Sequence, residues 1–334
     1  MRVLVVGAGA IGRLMATQIV ANRFATQDAD IALTLVDRNS TRAALLRDEG
    51  IHRHDERGVH DIRVDARTWE TLPEESYDVA IICVKAYDVA AAVREARSAL
   101  PPGAHVLLVS NGLGNYERAA ESWPREQFLL STVVCGAFCD GDRGVVVQGL
   151  GPIQLGSPTG EEPDPAHAAV LELFRQAGFD VAWNDEIEAA VWTKAAINCA
   201  INPAAALLQV TNEELLGTPL LVAGIEAAKE VATVARARGI ALPADGWDER
   251  VEAVCRQTAG NRSSLYEDLR HARPTEIEYL CGAVGRLAEE SKIEAPVNST
   301  LARMVRALEV QARDAHAAGE AVPLVGTTTI GVEE

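Results

Sequence analysis

Hydrophobic residues follow two different patterns along this chain. Up to about residue 184, short apolar runs that suit buried parallel strands alternate with segments of helical period, whereas from residue 185 onward helix-period segments follow one another with almost no strand signal. The pattern predicts an α/β fold, with a doubly wound sheet in residues 1–184 and an all-helical domain in residues 185–334. The predicted strands cover residues 1–6, 31–36, 79–84, 105–110, 130–134, 145–147 and 153–155. The predicted helices cover residues 11–20, 166–177, 187–206, 220–238, 248–257, 276–290 and 298–316.

The first predicted strand runs directly into a glycine-rich turn and a helix. The turn reads Gly7-Ala8-Gly9-Ala10-Ile11-Gly12. The first glycine permits a tight turn, the second lets a pyrophosphate approach the backbone, and the third lets the helix pack on the strand, while the helix N-terminus attracts the anion. Because strand, turn and helix come in the required order, the motif predicts a Rossmann-type domain that binds NAD or NADP.

Two residues after the second predicted strand bear on the choice between these cofactors. A carboxylate at Asp37 can accept hydrogen bonds from both adenosine-ribose hydroxyls and would repel the 2′-phosphate of NADP. The neighbouring Arg38 would attract that phosphate, so the two residues argue in opposite directions. We expect NADH to be favoured through Asp37.

Polar residues also follow two further apolar strands, at Lys85 and at Asn111. Ligands of open parallel sheets lie beyond the carboxyl ends of the strands. We therefore expect the glycine turn, Asp37, Lys85 and Asn111 to meet in one crevice.

A row of polar side chains interrupts the first helix of the second domain. Lys194, Asn198 and Asn202 stand four residues apart among small and apolar neighbours, which in a helix places them on one side. Burial of such a row is costly without a partner, and we interpret it as one wall of a polar pocket. The alternative is a lysine that reaches solvent and two amides that bond to nearby backbone.

Charge and composition exclude several classes of function. With a net charge of −17 and a pI near 4.9, and with no run of Lys and Arg, the chain is not expected to bind nucleic acid or an anionic membrane surface. No apolar run reaches the length that crosses a bilayer, about 20 residues. Anionic ligands would need local positive groups to overcome the overall charge.

Cysteine usage and the start of the chain indicate the compartment. The six cysteines form no C-x2-C pair and lack the density of a disulfide scaffold, and the first strand begins at once, without a signal segment. We expect a reduced, cytoplasmic enzyme. The polar segment from His52 to His60 contains three histidines, but we find no helix or strand periodicity there and expect an exposed hairpin or loop without a metal.

Five motifs follow one another along the chain. They are the glycine turn, Val84-Lys85-Ala86, Asn111-Gly-Leu-Gly114, Trp192-x-Lys194-x3-Asn198-x3-Asn202-Pro203, and Asn261-Arg-Ser-Ser264 followed by Thr275-Glu276-Ile-Glu-Tyr279. In this order they resemble the motifs of the ketopantoate reductase (2-dehydropantoate 2-reductase) family. The resemblance implies a Rossmann-type domain and a helical domain with the substrate in the cleft between them. It also implies reduction of a 2-keto acid by NADPH or NADH, here 2-dehydropantoate to pantoate in the route to pantothenate and coenzyme A.

The resemblance implies catalytic roles for Lys194 and Glu276. Lys194 would stabilise and protonate the carbonyl oxygen as hydride reaches the keto carbon. Glu276 would hold a substrate hydroxyl and help to position the site. Pro274-Thr275-Glu276 also suits a helix start, where a carboxylate is favoured by the macrodipole.

The resemblance also implies binding roles for four polar residues: Asn198 and Asn202 would hydrogen-bond the substrate, Ser264 would bind its carboxylate, and Asn111 would lie between the nicotinamide ribose and the substrate. Lys85 would lie near the cofactor. Ser264 equally suits an N-cap ahead of Leu265, and Lys85 a solvated strand end.

Two other functions stay open at this point. The segment Thr132–Phe138 is less polar than a ketopantoate site suggests, which leaves a different, apolar 2-keto acid possible. A related D-2-hydroxy-acid dehydrogenase would oxidise a bulkier substrate such as mandelate. A dinucleotide-binding sensor without catalysis would need the glycines but not the polar row. A homodimer is possible, because dimers are the commonest soluble assembly.

Overall fold

Ten strands in the first half of the chain form one sheet in the computed structural model, which describes residues 1–26, 31–160 and 162–319. The strands are β1 (Arg2–Val6), β2 (Ala32–Val36), β3 (Ile51–Asp55), β4 (Gly58–Ile62), β5 (Asp65–Arg67), β6 (Val79–Ile82), β7 (His105–Leu108), β8 (Phe128–Asp140), β9 (Gly144–Gly156) and β10 (Val181–Trp183). They lie in the order β4-β3-β9-β8-β7-β6-β1-β2-β5, and β10 pairs with β9.

Helices cover both faces of this sheet. They are α1 (Ala10–Thr26), α2 (Ser40–Glu49), α3 (Val89–Ala96), α4 (Asn115–Ala119) and α5 (Pro165–Gln176). Along β1, Val3 and Val5 join one hydrophobic cluster with α1 and α5, whereas Leu4 and Val6 join another with α3. The strands from β5 through β2, β1, β6 and β7 to β8 are all parallel to their neighbours. The predicted doubly wound α/β fold is therefore confirmed, and its apolar strands are those buried on both faces.

The second half of the chain is helical, as predicted. Its helices are α6 (Ile187–Leu208), α7 (Pro219–Ala237), α8 (Trp247–Gln257), α9 (Ser264–Arg270), α10 (Cys281–Glu290) and α11 (Pro296–Ala317). None of the helices in the described ranges combines the length and apolar character that a bilayer-spanning helix needs.

The described residues divide into two units. Residues 1–110 and 114–191 form the first, and residues 111–113 with the described residues from 192 onward form the second. The predicted boundary after residue 184 precedes α6, whereas the units divide inside α6, between Val191 and Trp192.

Strands β8 and β9 are longer than predicted. Each has 13 residues, and the two pair in antiparallel fashion with register shifts between Val133 and Cys135 and between Gly136 and Ala137. A Cβ at Gly151 would lie 2.0 Å from the Val134 carbonyl oxygen, so the irregular pairing needs glycine there. The glycines that we interpreted as breaks between short strands are part of one continuous hairpin.

The histidine-rich segment is a hairpin, but it is not separate from the sheet. β3 pairs with β4 in antiparallel fashion and with β9 in parallel fashion, and Ile51 and Arg53 are buried. His52 and His54 share a face of β3, with ring centroids 4.8 Å apart. The expectation that this segment lacks strand periodicity was wrong, because charged residues masked the alternation.

The helix predicted over residues 276–290 is interrupted. A 3₁₀ turn covers Ile277–Tyr279, and Leu280 then has φ −105° and ψ −109°, which no helix allows, before α10 begins. Helix α9 was not among the predicted helices, because a segment of seven residues is too short to show helical periodicity.

Arg13, in the first turn of α1, ties the glycine turn to the turn between β8 and β9. Its side chain donates from Nε to the Ala8 carbonyl at 2.9 Å, from Nη1 to Gly141 and Gly144 at 3.0 and 2.7 Å, and from Nη2 to Asp142 at 2.7 Å. Burial lowers the pKa of the Arg13 guanidinium, which is 2% exposed. Backbone carbonyls thus replace the water that a buried cation would lose.

Replacement of Arg13 by Met should destabilise the protein, because four carbonyls, of which those of Ala8 and Gly144 are buried, lose their donor. We expect the free energy of unfolding, measured by urea denaturation followed by circular dichroism, to fall by about 3 kcal/mol. Arg47→Met on α2 is the matched control, since the Arg47 side chain is 39% exposed, and it should change stability by less than about 0.5 kcal/mol. Equal stabilities of the two variants would contradict a structural role for Arg13.

Candidate functional site

The glycine turn has the geometry that a dinucleotide needs. Gly7 has φ +103°, and a Cβ there would lie 2.7 Å from Val84 Cγ1, while a Cβ at Gly12 would lie 1.8 Å from the Gly7 carbonyl oxygen. Around Gly9, in contrast, an added Cβ would meet no atom within 4 Å. The outer two glycines are therefore required for close packing, and the middle one leaves open space beside the N-terminus of α1, where a pyrophosphate fits.

The first unit brings together three of the four predicted strand-end features, the glycine turn, Asp37 and Lys85. The Gly7 amide donates to the Val36 carbonyl, at the end of β2, and the Cys83 amide donates to the Val6 carbonyl, at the end of β1, both at 2.8 Å. The glycine turn, Asp37 and Lys85 thus follow adjacent strands at the same edge of the sheet. Asn111, the fourth predicted residue, groups with the second unit.

Asp37 is held by an arginine that the sequence analysis did not single out. The carboxylate is 3% exposed and accepts from Arg42 Nε at 2.5 Å, from Arg42 Nη2 at 2.8 Å and from the Asn39 amide at 2.9 Å. The hydrogen bond to Asp37 raises the pKa of Arg42. Asp37 therefore lacks the free acceptors for two ribose hydroxyls that we expected. Arg42 lies in the first turn of α2, where the helix macrodipole disfavours a cation, and this unusual position could have pointed to the residue from the sequence alone.

Arg38 is oriented differently from Arg42. Its side chain is 76% exposed, and its Nη1 lies 3.2 Å from the Asp88 carboxylate. Asp88 in turn donates its amide to the Lys85 carbonyl at 2.8 Å. Arg38 is thus a solvent-facing cation next to the Lys85 segment.

In the second unit, α6 carries the predicted polar row. Lys194, Asn198 and Asn202 are each half-buried, while the intervening Ala195, Ala196, Cys199 and Ala200 are buried. Within the described part of the chain, the Asn198 and Asn202 carboxamides make no side-chain hydrogen bond, which leaves their donors and acceptors for a ligand or water. The predicted helix and the shared face are confirmed, whereas the functional roles stay predictions.

The segment that carries Asn111 is fixed to the segment that follows Glu276. The Leu113 amide donates to the Tyr279 carbonyl at 2.7 Å. Gly112 has φ +94°, and a Cβ there would lie 2.5 Å from the same carbonyl oxygen, so only glycine permits this contact. The second unit thereby holds two predicted site segments side by side.

Glu276 is buried at the N-cap position of a short helical turn. It is 3% exposed and precedes the 3₁₀ turn, but its side chain makes no capping hydrogen bond. Thr275 supplies that bond instead, since its Oγ1 accepts from the Ile277 amide at 3.2 Å. Glu276 therefore stands at the start of a helical turn, as one of the two interpretations expected, but it does not cap the turn through its side chain, and its role in binding stays a prediction.

The N-cap of α9 is Ser263, not Ser264. Ser263 Oγ accepts from the Tyr266 amide and donates to the Asn202 carbonyl, both at 3.2 Å. Ser264 is the first helical residue. The capping role proposed for Ser264 was thus placed one residue too late, and the Ser263 bond ties α9 to the end of the polar row.

One group of possible metal ligands lies at the opposite edge of the sheet. Among the described residues, His105, Asp164 and His167 form the one cluster whose donor atoms all lie within 4.8 Å of one another. His105 begins β7, whereas the glycine turn follows the end of β1. His167 Nδ1 accepts from the Asp164 amide at 3.2 Å, and Asp164 accepts from the His167 amide at 2.8 Å, so a helix-capping arrangement accounts for this pair.

Comparison with known proteins identifies relatives along most of the chain. Residues 3–160 match the family model described as Ketopantoate reductase PanE/ApbA, and residues 186–309 match Ketopantoate reductase PanE/ApbA C terminal. The 2-dehydropantoate 2-reductase of Vibrio cholerae serotype O1 is 35% identical over 237 residues, which are 70% of this chain and 78% of that protein. The 2-dehydropantoate 2-reductase of Halobacterium salinarum is 32% identical over 307 residues, which are 92% of this chain and 98% of that protein.

Solved structures share the fold. A ternary structure of D-mandelate dehydrogenase with NADH and anilino(oxo)acetate aligns with a TM-score of 0.85 at 21% identity, over 93% of this chain and 99% of that one. A PanE/ApbA family ketopantoate reductase from Ralstonia eutropha JMP134 aligns with a TM-score of 0.80 at 23% identity, over 94% of this chain and all of that one (100%). At these identities the likeness shows the fold alone.

The two adjacent serines should differ in their effect on stability. Ser263→Ala removes the α9 cap and should lower the free energy of unfolding by about 1 kcal/mol, as measured by guanidinium denaturation. Ser264→Ala removes no cap and should change it by less than about 0.5 kcal/mol. A larger loss in the Ser264 variant would contradict the assignment of Ser263 as the cap.

Proposed function

The chain belongs to the ketopantoate reductase family, and we propose that it reduces 2-dehydropantoate to pantoate with NADPH or NADH, in the route to pantothenate and coenzyme A. The observation that carries this proposal is the 32–35% identity to 2-dehydropantoate 2-reductases, over 70–92% of the chain. The chain is an NAD(P)-dependent oxidoreductase with a small keto-acid substrate. The free half-buried amides on α6 support a polar ligand in the second unit.

The first unit holds the dinucleotide in this proposal. The backbone of the glycine turn and the N-terminus of α1 bind the pyrophosphate. Asp37 and Arg38 lie at the adenosine ribose, and Lys85 lies near the cofactor. When bound, the nicotinamide supplies the hydride that reduces the keto carbon.

Lys194 supplies the proton. As hydride adds to the keto carbon, the carbonyl electron pair moves onto oxygen, and the Lys194 ammonium stabilises that charge and then donates a proton to the oxygen. Lysine suits this task because its ammonium is a compact charge with three donors. The product is a 2-hydroxy acid, and Lys194 is left as a neutral amine until it takes a proton from water.

The other polar residues of the second unit orient the substrate. Asn198 and Asn202 hydrogen-bond its oxygens, Ser264 binds its carboxylate, and Asn111 helps to place the keto group. Glu276 accepts a hydrogen bond from the substrate hydroxyl. The anchor between Leu113 and Tyr279 supports this assignment, because it keeps the Asn111 and Glu276 segments adjacent.

A dehydrogenase for a bulkier substrate is not favoured. The likeness to D-mandelate dehydrogenase lies at 21% identity and concerns the fold, whereas the sequence identity is higher to the 2-dehydropantoate 2-reductases. We further infer a cytoplasmic enzyme, which the six free cysteines support, since thiols persist in reducing compartments. The homodimer stays a prediction.

The reaction is tested by the loss of NADPH or NADH absorbance with a panel of 2-keto acids. We expect turnover with 2-dehydropantoate above that with benzoylformate or pyruvate. Turnover with benzoylformate alone would replace the proposal by a D-2-hydroxy-acid dehydrogenase. Binding of the dinucleotide without turnover of any keto acid would indicate a sensor.

The proton-donor role is tested by Lys194→Ala. We expect kcat to fall by ~10²-fold or more, the usual scale for loss of a positioned proton donor, while the dinucleotide Kd is unchanged. Lys229→Ala on α7 is the control, because that ammonium is paired with Glu226 on the surface, and it should keep full activity. A folded Lys194 variant with unchanged kcat would remove this residue from the role.

A further inference from the structure

We propose that Arg42 determines the cofactor range of this enzyme: by pairing with the Asp37 carboxylate it makes the adenosine-ribose pocket tolerant of a 2′-phosphate, so that NADPH binds as well as NADH. The inference rests on the proposed NAD(P)-dependent function and assigns a specificity-determining role to a residue outside the recognised motifs. Arg42 acts here partly through Asp37, as a positioning residue, and partly through its own remaining donors.

The first argument is charge. An unpaired carboxylate directly after β2 would repel a 2′-phosphate. The Asp37 carboxylate is instead bound in bidentate fashion by the Arg42 guanidinium, at 2.5 and 2.8 Å, and is almost completely buried. A buried, bidentate pair presents little net charge to a ligand, and the repulsion that would favour NADH is therefore largely cancelled.

The charges around the pair do not restore the repulsion. The cation Arg13 acts electrostatically on both Asp37 and Arg42, and Asp142 acts on Arg42 from the turn between β8 and β9. Arg38 pairs with Asp88. Three cations, Arg13, Arg38 and Arg42, are thus matched by three carboxylates, Asp37, Asp88 and Asp142, although the chain as a whole carries a net charge of −17.

The second argument is the number of hydrogen-bond donors and acceptors. A guanidinium has five N–H donors, and Asp37 takes two of those of Arg42. The Arg42 side chain is 31% exposed, so its remaining donors are accessible to a phosphate. A carboxylate has about four acceptor positions. Since Arg42 and the Asn39 amide occupy three in Asp37, one is left for a ribose hydroxyl.

The test is direct binding of dinucleotides without substrate, measured by energy transfer from protein tryptophan to NADPH and NADH. The wild-type protein should bind both, with Kd values within about tenfold of each other. Arg42→Gln leaves Asp37 without its cation and should raise the Kd of NADPH at least tenfold more than the Kd of NADH. Asp37→Asn removes the negative charge and should shift the ratio of the two Kd values in favour of NADPH.

Two further measurements separate this role from a structural one. Binding of 2′,5′-ADP and of 5′-ADP isolates the adenosine half and should reproduce the shift seen with the dinucleotides. Arg47→Gln, on the exposed part of the same helix, should leave the ratio unchanged. If the Arg42→Gln variant folds but the Kd values of both cofactors rise equally, the inference is wrong. If that variant does not fold, the ratio of the two Kd values in Asp37→Asn is the test, and a ratio equal to that of the wild type overturns the inference.

Failure of the inference is distinguishable from failure of the proposed function. A wild-type protein that binds neither NADPH nor NADH would refute the dinucleotide-dependent function itself. A wild-type protein that binds both, with variants at positions 37 and 42 that keep the wild-type ratio, would refute only the role of Arg42.

Discussion

A buried guanidinium needs acceptors on every side, and Arg13 obtains them from four backbone carbonyls in two separate turns. One of these carbonyls, that of Ala8, lies within the glycine turn, and the other three lie in the turn between β8 and β9 and at the first residue of β9. The cation therefore fastens the glycine turn to a hairpin that is distant in sequence. The four carbonyls solvate the guanidinium in place of water.

A second backbone contact has the same function in the helical unit. The Leu113 amide bonds to the Tyr279 carbonyl, and Gly112 makes this approach possible because it has no side chain. The two segments that carry Asn111 and Glu276 are thereby joined by a backbone hydrogen bond. Both anchors end on main-chain carbonyls, one reached by the Arg13 guanidinium and the other by the Leu113 amide.

Local charge arrangement lets an acidic protein accept an anionic cofactor. The chain carries a net charge of −17, but the screening length in physiological salt is about 8 Å, so groups near the ligand dominate. Near the glycine turn, Arg13 binds the Ala8 carbonyl, Arg38 pairs with Asp88, and Arg42 pairs with the Asp37 carboxylate. The ion pair matters here for recognition, whatever it adds to stability.

The sequence alone determined the features that depend on neighbouring residues: the strand, glycine turn and helix at the start, the apolar parallel strands, and the row of Lys194, Asn198 and Asn202 on one helix. Those features follow from periodicity and from the absence of a side chain in glycine, which are local properties. Tertiary structure alone decided the acceptors of Arg13, three of which lie 128–131 residues away along the chain. It also decided that Ser263 and not Ser264 caps α9, how long β8 and β9 are, and that Asp37 pairs with Arg42, which limits what Asp37 can bind. Each of these depends on which segments meet in space, and the meeting is set by the packing of the whole unit and not by any one stretch of sequence.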